Sequence, residues 1–475
     1  MTDALRRSVT IGSILFIQFQ TLSASASAIA LSEYLNQVKE KHLGFQASQT
    51  SSEGAQLRAS EGDLILSPVF FVNGQMNRDK KLNFFLQNNQ TDQNNATAGF
   101  SKLTSFGTQA KVSYGYNYTE YSKFSDPRKK FPAFYQFQTT FELSQSIWRN
   151  FFGSETRAQR NQIEAQATAS HYVEKYKTRL LLAEAESTYW RLTFSRLTVQ
   201  VQTEALARAK KMYDWNTGRA KLHLADSADA FQSEALLKIK ALDLQNAQDE
   251  ERAASRAFNL ARGFTEDLVS EDLEIVDASV LSQVSIPNRV EKREDILAAE
   301  EQERATWAAA DLAKERTLPS FDVFGSYSLN GQKTDQNDAF KGSFKNEQPT
   351  QAAGLKFSAP LDFWGTSDIR SGWQKEKIAA EFNLQRKRLE QDNEWTDLQQ
   401  KMGEARKRLQ LCLAIEQVQN SKLTHERDRF KRGRSTTFQI LQFEQDFSQA
   451  QLLRIRAQSD ILQVLARMKT FQVNL

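Results

Sequence analysis

Apolar positions recur every three and four residues along two long, proline-free stretches of the chain. In the first, Val173, Tyr176, Leu180, Ala183, Ser187, Trp190, Phe194, Leu197 and Val201 are spaced alternately three and four apart. In the second, Trp395, Leu398, Met402, Ala405, Leu409 and Cys412 repeat that spacing. A period of 3.5 keeps an apolar stripe against a neighbouring helix, so both stretches predict coiled-coil helices. Each is about 60 residues long, roughly 90 Å at the helical rise. They begin after Gly153 and Gly365, turn at Gly218 and Gly433, and return through shorter helices at about 222–262 and 436–471. Helices at about 31–62 and 289–316 can supply the length that the returning helices lack.

Elsewhere the period is two. Ala110, Val112, Tyr114, Tyr116 and Tyr118 alternate with Lys111, Ser113, Gly115 and Asn117, and Tyr135, Phe137, Thr139, Phe141 and Leu143 alternate with polar residues in the same way. Phe321, Val323, Gly325, Tyr327 and Leu329 continue the pattern, answered by Leu355, Phe357 and Ala359. Strands with one aromatic face suit apolar surroundings on one side only. A lipid-facing barrel is one such setting; a small soluble sandwich is the other. The Asn/Gln-rich stretches Gln87 to Asn95 and Asn330 to Asn346 read as loop tips. The first β region, about 68–147, is longer than the second, about 319–361. A chain that leaves and returns on one side needs an even number of crossings. Two membrane strands are therefore expected in the first region, the remainder forming an extracellular extension.

The two patterns occur twice. Gly365 follows Gly153 by 212 residues, and Phe443 follows Phe231 by the same 212. A duplication that keeps its offset across a helical hairpin is an architectural signal and argues against a single active site. Two structural repeats, 29–282 and 283–475, are expected behind a leader at 1–28. That leader has Arg6 and Arg7, an apolar run from Ile11 to Leu22, and small residues ending in Ala24-Ser25-Ala26 and Ala26-Ser27-Ala28. It reads as a secretory signal, too short in its apolar part to span a bilayer.

Composition narrows the function classes. Seven prolines, nineteen glycines, 25% charged residues and a mean hydropathy of −0.58 suit long solvated helices better than several packed cores. The net charge of +4 is dispersed along helix faces, so no nucleic-acid partner is expected. Cys412 is the single cysteine, expected to pack on a helix seam, and no cysteine follows the leader to carry a lipid anchor. His42, His171, His223 and His425 are scattered, without metal-ligand spacing or a phosphate-cradling glycine loop. No catalytic, metal or cofactor residues are expected, and the chain is not read as an enzyme.

Four membrane strands cannot close a barrel, and open edges are not viable in lipid. Copies of the chain must then combine. In this the sequence resembles the TolC-type outer-membrane efflux proteins. The residues that carry the resemblance are Leu318-Pro319-Ser320-Phe321 with Gly325-Ser326-Tyr327, and the preceding Arg293-Glu294-Asp295-Ile296-Leu297-Ala298-Ala299-Glu300, with Glu294 where the family has proline. Leu143-Ser144-Gln145-Ser146-Ile147 and Ala359-Pro360-Leu361 match its strand-to-helix junctions. The resemblance covers nearly the whole chain past the leader.

It implies an α+β membrane protein in which coiled-coil hairpins form a periplasmic α-barrel and antiparallel strands contribute to a trimeric twelve-stranded transmembrane β-barrel. The implied role is a passive trimeric conduit of a tripartite efflux or type I secretion system in the bacterial outer membrane. Its implied partners are a periplasmic adaptor protein, an inner-membrane pump and outer-membrane lipid. Gly218 and Gly433 would mark adaptor-docking turns at the periplasmic mouth. Asp226, Asp229, Phe430, Arg434, Gln439 and Gln442 would stand at the aperture, with Asp226 paired to Arg434 in the resting state. Phe430 replaces a gate tyrosine, and Gln439 and Gln442 replace two aperture aspartates. Arg427, Arg429, Lys431, Arg432 and Arg434 would then make the mouth basic and favour anions. A periplasmic coiled-coil scaffold without a pore is the rival reading; it explains the heptads but not the aromatic strands.

Overall fold

A computed structural model describes residues 28–126, 128–222 and 226–472. The leader lies outside the described residues, as does His223. Among those described, helices α1 (Leu31–Lys41) and α2 (Leu43–Arg58) lead into strands β1 (Val69–Asp79), β2 (Asn88–Leu103), β3 (Thr108–Phe124) and β4 (Phe134–Ser146). The hairpin α3 (Ser154–Lys221) and α4 (Ser227–Ala261) follows, then short α5 (Ala278–Ser282) and α6 (Glu294–Arg316). The second half carries β5 (Ser320–Lys333), α7 (Gln336–Gly342), β6 (Pro349–Ser358), and the hairpin α8 (Phe363–Lys431) and α9 (Thr437–Lys469). No described helix is long and apolar enough to cross a membrane.

The chain divides into two compact units. One comprises the stretches up to Val38, Thr188–Ser282 and Cys412–Ser459; the other comprises Lys39–Ser187, Gln283–Leu411 and Asp460–Leu475.

The second unit holds all six strands, in one antiparallel sheet of order β1-β2-β3-β4-β5-β6. The expectation of two strands before α3, with the remainder as an extension, is corrected here: β1 to β4 are all full-length strands of one sheet. The Asn/Gln-rich stretch at Gln87 to Asn95 is mostly strand β2, which pairs with β1 on one side and β3 on the other. Pairing uses main-chain groups, so amide side chains do not prevent it. Nor is the first hairpin an extension beyond the others. The β2–β3 turn lies at the helix end of the sheet, where Gln145 donates to the Phe106 carbonyl at 3.3 Å. A Cβ on Gly153 (φ +78°) would sit 1.9 Å from the Ser105 carbonyl oxygen, so only glycine fits between that turn and α3. Gly365, its partner in the repeat, does a different job: its N–H donates to Asp362 at 2.8 Å in the first turn of α8.

Opposed residues in antiparallel strands share a face, and the register gives this sheet two unlike faces. Phe70, Phe100, Val112, Phe141, Val323 and Leu355 lie on the apolar face, and all are exposed. Tyr327 stands level with Phe141, and further from the helices the same face carries Tyr114, Tyr116, Tyr118 and Tyr135. The opposite face carries Ser101, Lys111, Glu142, Ser326 and Lys356 among other polar groups. Helix α7, from the stretch expected to be a loop tip, folds onto the apolar face. Phe340 meets Phe137 edge-on with centroids 5.6 Å apart, and Phe344 stacks on Tyr114 at 5.7 Å.

The predicted second seam is buried throughout, from Trp395 to Cys412, with Met402 and Leu409 fully enclosed. The first is buried at Ala183, Trp190, Phe194 and Val201, but Val173 and Leu180 are exposed. Where each returning helix stops, an aromatic marks the junction with a pre-strand helix. In the first unit Tyr34 of α1 stacks on Phe258 near the end of α4, with centroids 4.2 Å apart. Its hydroxyl lies 2.9 Å from Thr188 Oγ1 and 3.4 Å from the Phe258 carbonyl. Burial pushes that hydroxyl up to about 12, so it stays protonated and able to donate at any physiological pH. In the second unit Arg293, the N-cap of α6, lies 4.2 Å over the Phe471 ring just past α9 and 4.7 Å over Tyr176. Asp295 and Glu394 neutralise it at 2.7 and 2.9 Å. The Arg293-x-Asp295 signature thus forms a buried junction.

Candidate functional site

The first unit contains both hairpin turns. The two differ in build. Gly433 adopts φ +70° and ends α8 in the left-handed cap that glycine allows without strain. Gly218 does not: it lies inside the last turns of α3, which continues to Lys221, so the expected glycine cap at the first turn is corrected. Helix α3 ends at Lys221 and α4 begins at Ser227.

Each returning helix is started by a side-chain cap. Asp226 is the N-cap of α4 and accepts from the Ala228 N–H at 3.1 Å. Asp229, half-buried, sits in the first turn, where a negative charge complements the helix dipole. At α9, Thr436 Oγ1 accepts from the Gln439 N–H at 3.3 Å while Gln439 Oε1 accepts from the Thr436 N–H at 3.3 Å. That reciprocal pair is a capping box, which gives Gln439 a structural role. Gln442 is exposed and donates to Asp446 at 3.0 Å. An acid therefore stands one turn beyond the position the resemblance assigned to it.

Phe430 is a packing residue. It lies with Met212, Leu236, Phe443 and Phe447 against a buried core of Leu423, Ile440 and Leu441. Met212 and Leu236 come from the first hairpin and the rest from the second, so the two tips share one apolar cluster.

The polar link between hairpins differs from the expected one. Among the described residues Asp226 and Arg434 form no ion pair within the chain. Glu444 of α9 joins the hairpins instead. It pairs with Arg208 of α3 at 3.0 Å and accepts from Arg427 Nε of α8 at 2.9 Å, with its own side chain only 14% exposed. Arg208 also donates to Ser448 at 3.2 Å and lies 5.7 Å over the Phe447 ring. The sequence carries this link as an acid on α9 whose partner is 236 residues earlier, a separation the 212-residue offset does not reveal. A second overlooked residue is Asn216, fully buried two positions before Gly218. Neither end of its amide has a partner among the described residues.

The basic turn is partly neutralised. Arg429 pairs with Glu426 at 3.2 Å and Lys431 with Asp428 at 3.7 Å, while Arg432 and Arg434, both exposed, make no ion pair among the described residues. Exposed apolar residues flank the turns: Trp215, Leu222 and Phe231 at the first, Phe438 at the second.

Residues 286–471 match the family described as outer membrane efflux protein. That stretch is less than half of the chain and lies in its second repeat. No curated protein matches the chain by sequence. Its fold is shared with solved outer-membrane channels. VceC of Vibrio cholerae is 14% identical with a TM-score of 0.66 over 93% of this chain and 95% of its own. CmeC of Campylobacter jejuni is 15% identical with a TM-score of 0.64 over 98% and 93%. The open state of MtrE from Neisseria gonorrhoeae is 15% identical with a TM-score of 0.66 over 93% and 88%.

The geometry yields a prediction for the tips. Glu444→Gln removes the charge that holds Arg208 and Arg427 together, a loss of about 1 to 3 kcal/mol, and should raise the open fraction in bilayer conductance. Arg434→Ala should change it less. Equal effects, or none from Glu444→Gln, would remove Glu444 from the account of the closed mouth.

Proposed function

We propose that the protein is a passive trimeric conduit of a tripartite efflux or type I secretion system, spanning periplasm and outer membrane and driven by a partner pump. One observation carries the reading. Besides its buried seam, α8 bears further apolar residues left exposed in the single chain, in two groups: Ile378, Phe382 and Leu389, then Leu411, Ile415 and Val418. The spacings of four and seven, and of four and three, keep each group on one side of a 3.5-period helix. The offset of 22 residues from Leu389 to Leu411 puts the groups on different flanks of the seam, so each makes a stripe of its own. A solvated helix has no use for such stripes, whereas a tube of helices from several copies buries them. The exposed Val173 and Leu180 of α3 supply similar surface. The scaffold reading also accommodates the stripes but leaves the exposed apolar face of the sheet without a role.

Unboiled outer-membrane fractions should run as a heat-sensitive trimer. Phe382→Asp together with Leu389→Asp should shift the protein to monomer, whereas a wild-type monomer in the soluble periplasm would contradict the reading.

The mouth, in this proposal, lies at the turns near Gly218 and Gly433, where the exposed Trp215, Leu222, Phe231 and Phe438 offer an adaptor an apolar purchase among basic groups. Asp226, Asp229, Arg434, Gln439 and Gln442 surround it. Trp215→Ala with Phe231→Ala should lower export severalfold while trimer abundance stays constant. Undiminished export would move the docking surface elsewhere.

A further inference from the structure

We propose that all six strands of each chain stand in the membrane wall, and that the ring closes by pairing β1 of one copy with β6 of the next. The inference rests on the assembly proposed above and fixes its strand number. Three chains of six strands give an eighteen-stranded barrel.

Three observations carry it. First, the apolar face is continuous from edge to edge: Phe70 on β1 and Leu355 on β6 are both exposed, on the same face as Val112 and Phe141 between them. A β1–β2 hairpin standing clear of lipid has no need of Phe70, Val72 and Phe100 on that face. Second, the β2–β3 turn reaches the start of α3, as the close approach of Ser105 to Gly153 shows, so β1 and β2 cover the same height as β3 and β4. Third, the two edges match. β1 has 11 residues and β6 has 10, and they run in opposite directions because the sheet is antiparallel with an even strand number. Each edge leaves a row of main-chain groups without a partner in the sheet, which hydrocarbon does not tolerate. The second copy is the occupant whose geometry suits both edges at once, because a head-to-tail contact that closes makes a ring.

The consequence concerns passage. Barrel diameter grows roughly in proportion to strand number, so eighteen strands enclose a lumen about 1.5 times as wide as twelve, a size that leaves an open aqueous channel. The polar face, with Lys111, Glu142 and Lys356, would line it. Cargo size is then limited at the helical tips, not in the membrane.

The test uses paired cysteines in the full-length protein carrying Cys412→Ser, in outer membranes, read on non-reducing gels. Val72→Cys is combined with Ala353→Cys, Leu355→Cys or Phe357→Cys in turn, to allow for the stagger of the ring. Within one chain β1 and β6 are five strand spacings apart, about 24 Å, beyond disulfide reach, so any bond joins two copies. One of these pairs should give chain-to-chain dimers and closed trimers. The parallel series with Val112→Cys in place of Val72→Cys probes a wall that starts at β3, and it should stay unlinked. Linkage in the Val112 series alone would overturn the six-strand wall while leaving the trimer intact. No linkage in either series with the oligomer still present would overturn edge-to-edge closure. Loss of the oligomer in unmutated protein would overturn the assembly and the strand count together.

Discussion

In the assembly proposed here, the governing constraint is that a β-sheet in lipid must leave no main-chain group unpaired. A six-stranded sheet with one apolar and one polar face has two open edges. In water such edges invite aggregation; in hydrocarbon each unpaired group costs several kcal/mol. The single chain cannot satisfy them, and under the proposal that constraint makes assembly a condition of function. The long helices grow directly out of the strands, at Gly153 and at Asp362, so whatever symmetry closes the sheet is imposed on the hairpins as well.

The hairpins meet a different requirement. The proposed tube of helices must be held at its tips without a wide core, and in the single chain the means are local. Asp226 and the Thr436–Gln439 box start the returning helices, Gly433 ends α8, and a small apolar cluster with Glu444 between Arg208 and Arg427 ties the two tips together. Several residues that resemblance marked as aperture groups turn out to be structural in the single chain. Gln439 is engaged in a cap and Phe430 in the cluster. This does not deprive them of a place at the mouth, but it means that substituting them perturbs the tip fold as well as the pore.

Much of this was legible in the sequence, and the failures have physical causes. The 3.5 period located the seam from Trp395 to Cys412 correctly because burial along a helix leaves a direct trace in residue type. The period of two located β3 to β6 for the same reason. Strand β2 was missed because its outer half is paired through the backbone while its side chains are Asn, Gln and Thr, so nothing apolar alternates there. Gly218 misled because a glycine near a turn need not be the turn, and φ is not written in the residue name. The Arg208–Glu444 link was invisible because it joins helices of different repeats, where no fixed spacing applies.

Hydrogen exchange on the protein in outer-membrane vesicles tests the central claim most directly. If β1 and β6 are joined between copies, amides at alternating positions of Val69–Asp79 and Pro349–Ser358 that have no partner inside the chain should be as protected as those of β3 and β4. Rapid exchange along both edges, in assembled protein, would contradict closure through them.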